Sequence, residues 1–458
     1  MSMKTEDKQS KGLGGAAFIP ILLFVVLYVG AGIFYESQGV DFAFYQFPSI
    51  ASMFITIVVA FLMSRGTLNE RFQVFARGIA NEGVITMLII YMLAGGFSGM
   101  ATAMGGRDAV VNLGLSFVPV QFLAVGVFII SAFMGTATGT SVGTISAVIP
   151  IAIGLADKGG LNVALIIGAC IGGAMFGDNL SMISDTTIAA TQTQGVEMKD
   201  KFRVNFLIAL PAAICTIIAL LIFGSGAEPV AMDELTYSLP KVIPYLAVFV
   251  LAIIGVNVFA VLSGGVVIAA LVGILTGSFT LTGAAQSFWS GVTGMDEIFY
   301  LTMLMAGIVE IVRHNGGIVW IMSKMEKFIK NKKSAQVVLA ILAMLLDAAT
   351  ATNTVAILVE GDMAKEVSKK YKIDPRRTAS LLDIFSCVMQ GFLPYSGQVL
   401  ISVSFAASAG LGFSAFDFLP YIWYCIFLGI FAVISIFVPF ADGIIRKHPW
   451  NWETEKAE

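Results

Sequence analysis

Apolar runs long enough to cross a bilayer recur along the whole chain, near residues 16–34, 48–64, 83–101, 204–224, 256–276, 297–312 and 418–440. A spanning helix needs about 20 predominantly apolar residues, so each run qualifies on length and composition. Shorter or interrupted runs lie at 118–134, 141–155, 161–177, 241–254, 335–346, 378–393 and 399–411. With 57% hydrophobic and only 12% charged residues, a soluble fold could not hide this surface. The expectation is an all-α polytopic membrane protein held in a lipid bilayer.

Charge sets the expected orientation. Basic segments lie at 4–11, 65–77, 199–203, 313–333, 365–377 and 446–447, and the intervening segments 35–47, 225–240, 277–296 and 412–417 are poor in Lys and Arg. The positive-inside rule places the basic segments and both termini in the cytoplasm. The leader is polar and its first apolar run is long enough to span, so a cleaved signal peptide is not expected. No basic tract suits a nucleic acid. Cys170, Cys215, Cys387 and Cys425 are scattered, which suggests buried thiols rather than disulfides or a zinc site. His314 and His448 sit beside basic segments and read as solvated loop residues.

An internal match appears at an offset of 214 residues: Thr136-Ala137-Thr138-Gly139-Thr140 falls on Thr350-Ala351-Thr352-Asn353-Thr354. Spans 48–64, 83–99 and 204–224 fall on 262–278, 297–313 and 418–438, each with the opposite charge-derived direction. That is the signature of an inverted-topology repeat. The expected organisation is an extra first helix in 1–47, a first repeat in 48–224, a connecting segment with one helix in 225–261, a second repeat in 262–440 and a cytoplasmic tail in 441–458. The Gly/Thr stretch 135–143 suits the turn of a re-entrant hairpin, since glycine relieves the backbone and hydroxyls satisfy freed amides.

Within this frame, Gly177-Asp178-Asn179-Leu180-Ser181-Met182-Ile183-Ser184-Asp185-Thr186-Thr187 concentrates acids, an amide and hydroxyls directly after an apolar run. An intramembrane acid costs at least about 2.5 kcal/mol on insertion scales, which makes it a functional-site hypothesis by default. Oxygen ligands with acids at that depth suit sodium, protons or both. A simpler role for Asp178 and Asn179 is helix capping. If the helix restarts here, Ser181 is its expected cap, with Asp185 on the face of Ser181 and Asp178. Thr136, Thr138, Thr140 and Ser141 could add hydroxyl ligands, or bond their own backbone. In the second half Asp347, Thr350, Thr352, Asn353 and Thr354 should face the first set. Asp383 could carry a proton, and Ser396 and Gln398 could orient a substrate.

Other features read more plainly. Glu360 and Asp362 lead into 365–370 as an amphipathic cytoplasmic surface helix. The lysines of 313–333 set orientation and meet headgroups. The 21 Met and 35 Phe pack or face lipid, and Gly172-Gly173 allows close helix approach.

At Phe176–Thr187 and in the Thr-Gly-Thr-Ser-Val-Gly-Thr stretch 138–144, the chain resembles the NhaC-type sodium/proton antiporter family. That family commonly has proline where this chain has Met182. The resemblance implies inverted repeats, paired hairpins and elevator-like movement, with cation-coupled transport at Asp178, Asn179, Ser184, Asp185 and Thr186. Chains similar to it include malate/lactate exchangers and amino-acid transporters. A homodimer through helices away from the site is implied by the architecture alone.

The resulting expectation is a secondary transporter in a prokaryotic cytoplasmic membrane, exchanging external protons for internal sodium without a cofactor. Asp178, Asn179 and Asp185 would hold sodium, Ser184, Thr186, Thr138 and Ser141 would complete the coordination, and the segments 347–354 and 394–398 would close the other side. The alternative is sodium- or proton-coupled movement of a small organic acid or amino acid, supported by the polar groups Thr352, Asn353, Ser396 and Gln398. Broken helices in paired positions argue against a channel, and no zinc-hydrolase or nucleophile-elbow pattern suggests an enzyme.

Overall fold

Short polar caps and long apolar stretches dictate the helices. A computed structural model describes residues 12–38, 40, 46–117, 119–182, 184–224, 236–254 and 256–452. The leader 1–11, most of the segment 225–240 and the end of the tail lie outside the described residues, as does Ile183. The described residues form helices and turns without strands. Nine helices among them are long and apolar enough to cross a membrane. A further pair, Ala415–Tyr421 and Trp423–Phe437, is bent by 51° at its junction. The expected all-α polytopic architecture is therefore what the chain adopts.

Side chains define many helix starts. Asn81, Asn162, Asn257 and Asp374 each accept a backbone N–H from the first turn of the helix that follows, the usual role of a polar N-cap. Thr67 and Glu70 form a reciprocal capping box at the amphipathic helix Leu68–Ile79. The Thr67 amide, and then its hydroxyl, hold the Glu70 carboxyl below the usual carboxylate range.

Two helical hairpins and two broken passages position the site. In the first hairpin, Leu123–Thr138 turns into Ser141–Lys158 through Gly139, whose φ is 69°. In the second, Lys332–Thr350 turns into Asn353–Tyr371 through Ala351, whose φ is 54°. The preceding threonines behave alike. Thr138 Oγ1 donates to Met134 O (2.9 Å) and lies 3.5 Å from Thr140 O, and Thr350 Oγ1 lies 2.8 Å from Leu346 O and 3.1 Å from Thr352 O. Val163–Leu180 breaks and restarts as Asp185–Gln194, and Pro375–Phe392 breaks and restarts as Gly397–Ser408.

The pairs Gly139/Ala351, Leu180/Phe392 and Ser184/Ser396 share local geometry and are each 212 residues apart. The backbone correspondence is thus two residues out of register with the offset of 214. Alternate threonines in both turns make the slipped match look acceptable in one-letter code.

Helix Leu123–Thr138 packs on Val163–Leu180 with backbone nearly touching backbone. A Cβ at Gly173 would lie 2.2 Å from Phe128 O, and one at Gly177 2.5 Å from both Ala132 O and Thr136 N. Only glycine permits this approach. Gly172 instead meets the Tyr424 side chain, so the closest contact belongs to Gly173 and Gly177. Around this core the outer helices turn Leu22, Val26, Phe54, Leu62, Ile222 and Phe223 outward, an apolar rim suited to lipid. The methionines divide: Met53, Met104, Met134 and Met175 are core residues.

Candidate functional site

Asp178 occupies the last turn of Val163–Leu180, immediately after the close approach at Gly177, and is 6% exposed. Its Oδ1 accepts from Ser184 Oγ at 2.6 Å. Its Oδ2 accepts from Ser141 Oγ at 2.7 Å and from the Ser141 N–H at 3.2 Å. Asp178 therefore does not cap its own helix. It sits at the N-terminus of a hairpin helix from another element, where the helix dipole favours an anion. Ser184 Oγ is also 2.9 Å from Thr186 Oγ1. These hydroxyls and one amide surround the carboxylate.

The restart of the helix differs from expectation. Ser181 ends Val163–Leu180, and Ser184 is the N-cap of Asp185–Gln194. The break thus covers more residues than a Ser181 cap would allow, which moves Ser184 rather than Ser181 against Asp178. Asp185 is exposed, its Oδ1 accepts from the Thr186 N–H at 3.0 Å, and its Oδ2 accepts from Thr354 Oγ1 at 2.8 Å. It links the broken passage to the second hairpin but does not bond Asp178.

Asn179 points the other way. Its Nδ2 donates to Asp383 Oδ2 at 2.8 Å, and its carbonyl accepts from Lys201 Nζ at 2.9 Å. Lys201 Nζ also donates to Thr187 Oγ1 at 2.7 Å and reaches Asp383 Oδ2 at 2.5 Å. Asn205 Nδ2 donates to the same Asp383 oxygen at 2.8 Å. Asp383 is therefore the anion of a buried ion pair, which weakens its candidacy as a free proton carrier. Lys201 was hidden by the basic cluster 199–203, which reads as a cytoplasmic anchor, and Asn205 lies just beyond that cluster on the same helix. The detectable signal is their spacing: one helical turn apart, they share a face of Met198–Phe223.

Most threonines of the first turn serve the backbone. Thr136 Oγ1 donates to Ala132 O at 2.8 Å, Thr138 Oγ1 is spent on Met134 O, and Thr140 Oγ1 accepts from the Gly143 N–H. Freed hydroxyls at a hairpin turn satisfy nearby carbonyls before they are offered to a ligand. Ser141 is the member of that set that reaches the acid.

From the second half, Gln398 Nε2 donates to Ser141 Oγ at 2.9 Å, and Gln390 Nε2 donates to Gln398 Oε1 at 3.0 Å. Asp347 is wholly buried beyond Gln390. Ser396 caps Gly397–Ser408 through the Val399 N–H, and Asn353 Oδ1 accepts from the Thr354 N–H. Thr352 forms the N-cap position of Asn353–Tyr371 without a side-chain cap bond.

Glu360 overturns its surface assignment. It is fully buried, and neither carboxyl oxygen has a hydrogen-bond partner among the described residues. Asp362 and Lys365 on the same helix are exposed. The stripe that looked amphipathic is polar on both sides because its buried side faces other protein, including Thr193 at Gly361.

A cavity of about 650 Å³ lies elsewhere, between helices Glu82–Ala103 and Leu281–Thr293 and the ends of Ser141–Lys158 and Gly397–Ser408. Arg107, Gln286 and Ser408 line it, whereas Asp178 does not. Among the described residues no group of three or more His, Cys, Asp or Glu converges as a metal cluster. One carboxylate among hydroxyls is a donor set for a weakly bound hard cation rather than a tightly held transition metal.

Many apolar spans, paired broken helices and an intramembrane carboxylate belong to a secondary transporter rather than an enzyme. The chain is a member of the Na+/H+ antiporter family, whose model matches residues 8–225 and 231–440. It is 21% identical to the Malate-2H(+)/Na(+)-lactate antiporter of Bacillus subtilis, covering 91% of this chain and 93% of that one. It is 24% identical to the Na(+)/H(+) antiporter NhaC of the same organism, covering 81% and 86%. The arginine/ornithine antiporter ArcD of Halobacterium salinarum is 25% identical, covering 99% and 97%. The chain is thus a multi-pass membrane antiporter.

Proposed function

We propose that this antiporter exchanges external protons for internal sodium in a prokaryotic cytoplasmic membrane, with both termini in the cytoplasm and the two halves arranged as inverted repeats. Asp178 holds the cargo. Sodium enters with Asp178 as the charged ligand and Ser141, Ser184 and Thr186 as neutral ones, and a proton competes for the same carboxylate. Asp185, at the exposed restart of the helix, attracts the cation toward the buried acid. Asn179 positions the neighbouring ion pair.

One contrast carries this reading. Two buried acids lie near each other, and Lys201 neutralises Asp383 but not Asp178. Asp178 has hydroxyl and amide partners only. A buried carboxylate without a counter-charge is poised to take one.

The test uses purified protein in liposomes holding a pH-sensitive dye. Added sodium should move protons without organic solute, and Asp178→Asn should abolish the movement while leaving the protein folded. Proton movement that requires an added dicarboxylate or amino acid, or that survives in Asp178→Asn, would overturn the proposal.

A further inference from the structure

The amides of Gln398 and Gln390 form a hydrogen-bond wire from Ser141 to Asp347, and with Asp178 as a carboxylate its polarity follows from Ser141. Ser141 Oγ spends its hydroxyl proton on Asp178 Oδ2, so it can only accept from Gln398. The Gln398 nitrogen therefore faces Ser141 and its oxygen faces Gln390. The Gln390 nitrogen must then face Gln398. The Ala351 carbonyl, an acceptor that cannot turn over, lies 3.4 Å from that same nitrogen, at the long end of a hydrogen bond. The Gln390 oxygen is left 2.7 Å from one Asp347 carboxyl oxygen and 3.1 Å from the other. Two oxygens at 2.7 Å need a proton between them.

We propose that Asp347 is a second proton-binding site of the antiporter, neutral in this state and linked to the cation site through Gln390, Gln398 and Ser141. The proposal rests on the sodium/proton reading above and adds to it a proton site separate from the cation ligand. Ser141, Gln390 and Gln398 are 2–3% exposed and Asp347 is at 0%, so the wire lies out of bulk solvent. Tyr395, whose hydroxyl donates to Ala348 O, is the ionisable group close to Asp347. No charged side chain acts on it among the described residues. Of the charged groups on the helices packed around it, Glu310 pairs with Arg313, Lys324 lies over Trp320, Arg377 donates to Gln336 and Ser435, Asp383 pairs with Lys201, and Glu360 bonds no described residue.

The wire has a second self-consistent polarity. Sodium at the Asp178 carboxylate frees the Ser141 hydroxyl to donate to Gln398. Both amides then turn over, and the Gln390 nitrogen donates to Asp347 as a carboxylate. Sodium arrival thus favours release of the Asp347 proton to water on the side to which the site next opens, at a residue sodium does not touch. Amide turnover costs the Ala351 bond and no covalent change.

The experiment measures radioactive sodium and proton fluxes together in proteoliposomes, with sodium-induced infrared difference spectra. Asp347→Asn keeps a donor toward Gln390. It should hold sodium/sodium exchange within about threefold of wild type while the protons moved per sodium fall to about half, the share that Asp178 alone carries. Sodium addition should remove a neutral-acid carbonyl stretch in the wild type, and Asp347→Asn should lack one component of that band. In Gln390→Met that component should persist and no longer respond to sodium. Equal loss of both fluxes in Asp347→Asn, an acid band undiminished there, or an unchanged sodium response in Gln390→Met would overturn the proposal. If Asp347→Asn does not fold, Gln390→Met still decides it. Absence of sodium-driven proton movement in the wild type would sink the antiport reading, while the band would still report on Asp347.

Discussion

Lys201 Nζ lies 2.5 Å from Asp383 Oδ2, and both side chains are 1% exposed. Every N–H of the ammonium has an oxygen partner: the carboxylate, Thr187 Oγ1 and the Asn179 carbonyl. The pair pins three elements together, since its members come from helices Met198–Phe223 and Pro375–Phe392 and its partners from the broken passage. Removing one member of a buried pair costs about 3–5 kcal/mol, because the other charge is stranded. Lys201→Met should therefore lower the unfolding midpoint in detergent sharply, and combining it with Asp383→Leu should recover most of the loss. A double-mutant cycle with coupling below about 0.5 kcal/mol would show that the pair contributes no stability.

Ser184 approaches Asp178 from the opposite side to Ser141. Removal of such orienting partners typically costs 10–100-fold in cation affinity, on the order of magnitude seen at metal sites. Ser184→Ala should raise the sodium concentration for half-maximal exchange by about tenfold or more on that basis, with melting nearly unchanged. An unaltered sodium dependence would remove Ser184 from the site.

Gly177 tests whether backbone contact sets the position of Asp178. A methyl group there would sit 2.5 Å from Ala132 O and Thr136 N, neither of which can move without displacing the hairpin helix. Gly177→Ala should cost about 1–3 kcal/mol by overpacking and weaken sodium-dependent exchange as Asp178 shifts from Ser141. Wild-type melting and exchange would mean that the helices separate freely.

The spans, the two hairpin turns and the candidacy of Asp178, Ser141 and Ser184 were legible in the chain because each has a local signature: long apolar runs, a Gly/Thr interruption, acids beside hydroxyls. What escaped depended on three-dimensional pairing. Lys201 looks like a member of a basic anchor until Asp383, almost two hundred residues on, supplies its counter-charge. Gln390 is one polar residue at the end of an apolar run, and it gains meaning only between Asp347 and Gln398. Thr136 and Thr138 look like ligands in one-letter code, yet their hydroxyls reach the carbonyl one turn back. Glu360 was obscured by the exposed acids and lysines that follow it.

Glu360 offers a stability test independent of transport. Burying a polar group without a hydrogen bond costs about 1–3 kcal/mol in protein mutational series. Glu360→Met should therefore raise the melting temperature if the carboxyl has no other role. A lowered melting temperature would mean that Glu360 has a partner, such as a buried water, that the apolar side chain cannot replace.

The Lys201–Asp383 pair also has an electrical consequence. Moving one elementary charge through a potential of 100 mV is worth about 2.3 kcal/mol. Because the ammonium is tethered beside its carboxylate, the two cancel and add no net charge to whatever body carries the site across the field. The voltage sensitivity of the cycle would then come from Asp178, Asp185, Asp347 and their cargo, and membrane potential would weigh on the exchange only through the difference between the charge carried out and the charge carried back.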